Sequence, residues 1–391
     1  MQDFFKQLEE RTFRYKNTYA NCPKWAMTHL LIWNFRGLFK KWHTPKQSSH
    51  ITPRNNLNGI LFDLQGGIGD IIISLNYLIQ LHQKSNCDIK FYLTVPDVMR
   101  DSTKLLISKY DIFELYTPSN TTDIFIARIT LCRIPNITYI SANDLQKKSE
   151  YLHNWLQHIL SFNKQYPEYL NSGTTSDYLC TQYTKTNGRN RLSMADIDNL
   201  VNISSIYNIP TESDAEILSK YGLCANQYIT LQCGIGALSG NGLSTREWPI
   251  ERYNELINLI HQQGTTLPLI QIGNAPDPQM DTDIDLRGKT SFNEMLVILK
   301  NAKLHIGGES GCIHMRHFMG ARPSAVIFGP TSMEFYAYPE NINISSDICS
   351  GCEWLHNHWR EFCIKTHSCI PACMQIINSE TVFEKIKTKI I

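Results

Sequence analysis

Residues Ile60 to Ile73 read Ile-Leu-Phe-Asp-Leu-Gln-Gly-Gly-Ile-Gly-Asp-Ile-Ile-Ile, an apolar run, a glycine-rich turn and a helix start in direct succession. That order fits the first strand-turn-helix step of a parallel sheet, because glycine permits positive φ and close approach of a second group. Such turns often cradle phosphate at the helix N-terminus. Asp70 argues against an anion here, so the turn is read as presenting a base. A dinucleotide fingerprint also fails: Ile72 stands at the third glycine position, and Asp88 precedes the second strand instead of ending it. No Gly-Lys-Ser/Thr follows to make a phosphate loop. Taken alone, the turn is equally a βα junction with Asp70 as a first-turn charge, worth roughly 0.3–1 kcal/mol.

The periodicity predicts strand 59–64, helix 70–84 and strand 89–95, with further αβ units to about Tyr139. Residues 141–222 are more polar and read as mostly helical, with Leu152, Trp155, Leu156 and Ile159 at helical spacing. A second strand-first block begins at Tyr228, with helix 250–263, strand 268–273, helix 291–301 and strands 304–306 and 324–328. At 391 residues the chain suits two domains. The expected fold is α/β: two Rossmann-like parallel-sheet domains, 58–222 and 223–391, facing a cleft.

A leader over 1–57 stands apart. From Arg11 to Arg54 there are nine basic residues and no acidic one, interleaved with Trp25, Trp33, Phe35, Phe39 and Trp42. Such a segment suits a membrane-surface helix, or a helix that packs its aromatics on its own protein. No nucleic-acid recognition motif accompanies the charge, so no nucleic-acid partner is expected. Thr44 to Pro53 reads as a linker. No run approaches the ~20 apolar residues of a membrane span, and the first residues lack the basic start and apolar core of a signal peptide. A cytoplasmic protein, peripheral on a membrane at most, is the expectation.

The second block carries more specific marks. Thr245-Arg246-Glu247-Trp248-Pro249 sets a cation before a helix start. Gly307-Gly308-Glu309-Ser310-Gly311-Cys312-Ile313-His314 sets a small-residue turn and a histidine at another. The Ser310 hydroxyl and following amides suit a diphosphate, and a nearby arginine neutralises its charge. Lys289 is a weaker phosphate candidate, with an exposed surface lysine as the alternative. Asp281-Thr282-Asp283 has the shape of a metal-binding D-x-D but reads as a solvated acidic loop.

In combination these residues resemble glycosyltransferase family 9, the ADP-heptose:lipopolysaccharide heptosyltransferases, over about residues 59–390. The matching pieces are Gly66 to Asp70, Arg246 to Pro249, Glu309 to His314, and Phe328 to Thr331. Glu309 stands where the family has Asp, and Asn76 where proline is common, a change expected to affect only the helix. The resemblance implies a GT-B fold and inverting sugar transfer without a catalytic metal or other cofactor. The first domain would then take the acceptor and the second the nucleotide-sugar donor, ADP-heptose. Asp70 would be the base, with Gly67, Gly69, Arg246, Lys289, Glu309, Ser310, Gly311 and His314 around the donor. The acceptor would be a lipid-linked saccharide of the lipopolysaccharide core. A protein hydroxyl on an autotransporter is the alternative, and a non-catalytic scaffold on the same fold is a third reading.

Twelve cysteines in a cytoplasmic chain should be reduced thiols, and the seven scattered ones read as small buried residues. Five crowd together as Cys349-x2-Cys352-x10-Cys363-x5-Cys369-x3-Cys373. This spacing suits a tetrahedral zinc or iron ion on Cys349, Cys352, Cys363 and Cys373, with Cys369 to spare. His356, His358 or His367 offer substitutes. A closed four-sulfur site would be structural. The family's autotransporter-modifying subgroup holds iron with tail cysteines, so by resemblance the cluster points to that subgroup.

Overall fold

The computed structural model describes residues 53–117, 122–141, 145–170, 173–234 and 244–390, with backbone alone for 53–56 and 122. Residues 1–52 of the leader, and with them its expected surface helix and most of its linker, lie outside the described residues. The chain divides into two compact units at Pro210/Thr211.

In the first unit, β1 (Pro53–Asn56) and β5 (Thr122–Ile124) form a small parallel pair. The main sheet comprises β2 (Gly59–Leu64), β3 (Lys90–Thr94), β4 (Phe113–Leu115), β6 (Ala127–Leu131) and β7 (Asn136–Ile140), in the order β4-β3-β2-β6-β7. Its pairs are parallel except β6–β7, which is antiparallel. The expected run of αβ units to Tyr139 is corrected here. Only Cys132–Pro135 separates β6 from β7, far short of the dozen or so residues a parallel crossover needs.

Helix α1 (Ile68–Ser85) leaves the central strand, and Ile71, Ile72, Ile73, Leu75, Leu78, Ile79 and Leu81 are all buried. An apolar surface this broad must be covered on more than one side. α2 (Arg100–Leu106) and α3 (Glu150–Gln165) pack against α1, and Trp155 Nε1 donates to Tyr77 at 2.9 Å. Ser149 starts α3: its hydroxyl accepts from Leu152 N–H at 3.2 Å and donates to the Ser85 carbonyl at 3.1 Å. α4 (Thr174–Thr186) follows.

Asn76 does more than replace a proline within α1. Its amide donates to the Ser204 carbonyl at 2.9 Å, and its Oδ1 accepts from Ile206 and Tyr207 N–H at 3.1 and 3.0 Å. The expectation that this residue affects only the helix is therefore corrected: it stitches the 204–207 segment to the helix. Those backbone groups need partners once buried.

The second unit is a wholly parallel six-stranded sheet, order β10-β9-β8-β11-β12-β13. Its strands are β8 (Ile229–Gln232), β9 (Leu269–Gln271), β10 (Ile284–Asp285), β11 (Leu304–Gly308), β12 (Ser324–Phe328) and β13 (Ile342–Ser345). Its helices are α5 (Asp214–Lys220), α6 (Ile250–Gln262), α7 (Phe292–Asn301), α8 (Gly311–Phe318), α9 (Met333–Tyr336), α10 (Ala372–Ile376) and α11 (Ser379–Ile390). α6 buries Tyr253, Leu256, Ile257 and Ile260, the i, i+3, i+4, i+7 stripe of an amphipathic helix, and packs beside α11. Ser291 and Glu294 cap α7 reciprocally, at 3.3 and 2.7 Å. The Trp248 indole donates to the Ile377 carbonyl at 2.8 Å, fastening the chain's end to the start of α6. No helix among the described residues is long and apolar enough to cross a membrane.

His305 lies inside β11, fully buried, with Nδ1 3.1 Å from the Thr230 hydroxyl. Burial, and then the Arg316 charge, push its pKa down to about 3. The unfolded chain, with histidine near 6.5, takes up this proton first as pH falls. Stability is therefore lost on acidification, by about 1.4 kcal/mol per pH unit between roughly pH 6 and pH 3. In His305→Gln, urea unfolding at pH 7, 6, 5 and 4 should show a shallower decline than wild type. Identical slopes would assign the acid sensitivity to other groups.

Candidate active site

Within the first unit, Asp70 lies in the first turn of α1, and its Oδ2 accepts the Gly67 N–H at 3.0 Å. Gly66 takes φ +96°, and a Cβ there would collide with the Asp70 carboxylate. The glycines thus fold the turn back onto the aspartate, and Asp70 takes up the Gly67 amide. The other carboxylate oxygen is held by Arg191, whose Nη2 donates to Oδ1 at 2.6 Å and to the Cys132 carbonyl at 2.8 Å. Arg191 is 7% exposed and Asp70 35%, so one carboxylate is reachable while its partner is fixed. Nothing in the sequence marked Arg191: it sits in a polar stretch 121 residues from Asp70. Nearby, the buried Asp196 accepts Val201 N–H at 2.8 Å and shapes the same segment.

Within the second unit, Gln232 ends β8 and Gly308 ends the adjacent β11, so Glu309 and Ser310 emerge at the carboxyl edge of neighbouring central strands. Open parallel sheets bind ligands at that edge. Arg246 reaches Glu309 there, donating from Nη2 to the carboxylate at 2.6 Å and to the backbone carbonyl at 2.5 Å. His314 Nε2 lies 3.6 Å from the other Glu309 oxygen, and its Nδ1 pairs with the Tyr338 hydroxyl at 2.8 Å. The Ser310 hydroxyl donates to Gln232 at 3.0 Å, and α8 begins at Gly311. Arg246, Glu309, Ser310, Gly311 and His314 are thus brought together. Burial raises the Glu309 pKa, but Arg246 and His314 outweigh it and hold the carboxyl at about 2. The longer reach of glutamate engages Arg246 and His314 at once.

A residue that the sequence did not single out joins them. Glu353 is 6% exposed and belongs to the cysteine-rich tail. Its N–H donates to the Pro330 carbonyl at 2.8 Å, Gly351 N–H donates to Gly329 at 3.2 Å, and Ser332 N–H reaches Glu353 Oε1 at 3.4 Å. Burial, then the Glu309 charge, push its carboxyl up to about 8 against the pull of Ser332, Tyr336 and Arg246. The tail also grips the arginine turn: Thr245 donates to the carbonyls of Arg360 and Trp359, each at 2.7 Å. Glu353 Oε2 and Arg246 Nε are buried and have no hydrogen-bond partner among the described residues. Each such orphan costs about 1–3 kcal/mol.

Other expected site residues fall elsewhere. Gly67 and Gly69 belong to the first unit's turn. Lys289 is at an exposed turn and donates to the Asp285 carbonyl at 2.7 Å. In the D-x-D segment, Asp283 accepts Leu269 N–H at 2.7 Å, tying the loop to the start of β9. Of the scattered cysteines, Cys180, Cys233 and Cys312 are buried, Cys87 and Cys132 partly so, and Cys224 is exposed, against expectation.

The tail cysteines are free thiols. Cys349 and Cys373 hydrogen-bond through sulfur; that bond and Lys365 outweigh burial and bring Cys349 down to about 6. The same bond, burial, and the charges of Cys352, Cys349 and Cys363 push Cys373 up. Among the described residues, however, no three His, Cys, Asp or Glu side chains gather closely enough to hold one ion. Cys363 is held in its own tight turn, with N–H to Ser368 at 2.7 Å and carbonyl to His367 N–H at 2.8 Å. Thiol donors of this kind suit a soft metal.

Residues 207–358 match the family described as Glycosyltransferase family 9 (heptosyltransferase). The chain carries a domain of that family and is a glycosyltransferase of the heptosyltransferase type. No curated protein sequence matches it. Among solved structures, it is similar to the iron-containing dodecameric glycosyltransferase TibC from enterotoxigenic E. coli, at 14% identity over 86% of this chain and 77% of that one, TM-score 0.51. The ADP-heptose lps heptosyltransferase II of E. coli matches at 11% identity over 85% and 98%, TM-score 0.48. A family 9 glycosyl transferase from Veillonella parvula matches at 14% over 86% and 97%, TM-score 0.48. At these identities the TibC likeness speaks for the GT-B type of fold. The matched family segment includes Arg246, Glu309, His314 and Glu353, and leaves out Asp70.

Arg246 and Glu309 are 17% and 8% exposed. Removing one partner strands the other, which typically costs about 3–5 kcal/mol, whereas removing both costs far less. Arg246→Met should therefore lower unfolding stability by about that amount, and adding Glu309→Gln should restore most of it. Simple additivity in chemical denaturation would show that the pair is not coupled.

Proposed function

We propose that this chain transfers a heptose with inversion from ADP-heptose to a saccharide hydroxyl of the lipopolysaccharide core, without a catalytic metal. The buried Arg246–Glu309 pair beside the start of α8 carries the reading. A fixed cation and the amides of Ser310 and Gly311 at that helix start suit a diphosphate that gains charge on leaving. In this reading the second unit binds the donor and the first takes the acceptor. Asp70 accepts the acceptor hydroxyl's proton, the oxygen bonds to the anomeric carbon, and the bond from that carbon to the diphosphate oxygen breaks, releasing ADP. Arg191 orients the base through Oδ1. His314, set by Tyr338 and Glu309, orients the donor. The enzyme works in the cytoplasm, against the membrane face that presents its amphiphilic acceptor.

A second reading, transfer to a protein hydroxyl, is favoured by the cysteine tail. In either case Cys349, Cys352, Cys363 and Cys373 would hold zinc or iron as a structural ion. Metal analysis of protein purified without chelator should find about one ion per chain, lost in Cys349→Ser; a metal-free wild type would discard that assignment.

General-base catalysis typically supplies ~10²–10⁴-fold. Asp70→Asn should lose turnover on that scale while keeping donor affinity. ADP-heptose at ~100 times its Kd should raise wild-type stability by about 2.7 kcal/mol, visible as a melting shift that Arg246→Ala abolishes. A shift with a different nucleotide sugar would overturn the heptose assignment, and no shift with any would favour a non-catalytic scaffold.

A further inference from the structure

Among the described residues, two buried groups beside one ion pair have no hydrogen-bond partner: the Arg246 Nε–H, a donor, and the Glu353 carboxyl oxygen Oε2. Buried orphans are rare in folded proteins and point to an absent partner. Their chemistry specifies that partner. A bare anion would satisfy the arginine but offer Glu353 no donor; a neutral sugar's hydroxyl could bond either group but would bring no negative charge to the guanidinium. A phosphate ester that also carries a hydroxyl satisfies both.

Resting on the donor reading above, we propose that Glu353 is a donor-contacting residue supplied by the cysteine-rich tail. It hydrogen-bonds a hydroxyl of the nucleotide sugar whose diphosphate Arg246 holds. Its placement is built, because the neighbouring tail backbone is tied to Gly329 and Pro330 on one side and to Thr245 on the other. The tail thereby forms part of the donor site, and the residue following Cys352 is the one that enters it.

The test is calorimetric titration of the full-length wild type, Glu353→Gln and Glu353→Ala with three probes: ADP-heptose, ADP and inorganic pyrophosphate. Loss of a hydrogen bond to a buried carboxyl should weaken ADP-heptose about 10-fold in Glu353→Ala and less in Glu353→Gln, whose amide still hydrogen-bonds. Pyrophosphate, which has no hydroxyl, should bind both variants as tightly as wild type or more so. ADP weakening in step with ADP-heptose would put the hydroxyl on the ribose; ADP unchanged would put it on the transferred sugar. Unchanged ADP-heptose affinity in both variants overturns the proposal, as does a parallel loss of pyrophosphate, which would mean that Glu353 only positions Arg246. Should Glu353→Ala not fold, Glu353→Leu, which fills the space without a hydrogen bond, takes its place. A wild type that binds none of the three probes overturns the donor reading itself, and this inference with it.

Discussion

The ion pair between Arg246 and Glu309 organises the second unit's functional edge. Taking a guanidinium and a carboxylate out of water is costly, and only close geometry with further hydrogen bonds offsets that cost. Here the arginine holds both the side chain and the backbone carbonyl of Glu309. The turn between β11 and α8 is thereby fixed at the point where the helix amides begin. Glutamate instead of aspartate becomes intelligible in this setting, because the longer chain meets Arg246 with one oxygen and His314 with the other.

The cysteine-rich tail belongs to the same edge. It meets the Phe328 to Thr331 motif through Gly351 and Glu353, and the arginine turn through Trp359 and Arg360. A segment that looks like an appended metal staple in the sequence is thus a wall of the candidate donor site.

The first unit follows a different logic. Its glycine turn folds a carboxylate onto the first turn of α1, and Arg191 then fixes it from a distant, irregular segment. That segment is itself held by buried polar groups, Asp196 on its own amides and Asn76 on the 204–207 backbone. Polar side chains here replace the regular ladders that strands and helices supply elsewhere.

Alternation of short apolar runs with amphipathic stripes was enough to place β2, β8, β12, α6 and α7 within a residue or two, since pleat and helix periods are local properties. The same held for the motifs at Asp70, Arg246 and Glu309 to His314, whose residue types and order are written in the chain. Partners brought in from afar were not legible. The β6–β7 hairpin, Arg191 on Asp70, Asn76 on the 204–207 segment and Glu353 beside Arg246 all depend on which surfaces meet after collapse. The spacing of the tail cysteines announced a cluster, and the packed loop sets Cys352 and Cys363 within electrostatic reach of Cys373. By itself the sequence determined the periods, the turns and the chemistry available. The tertiary structure decided which charges are buried together, because desolvation and pairing are set by neighbours in space.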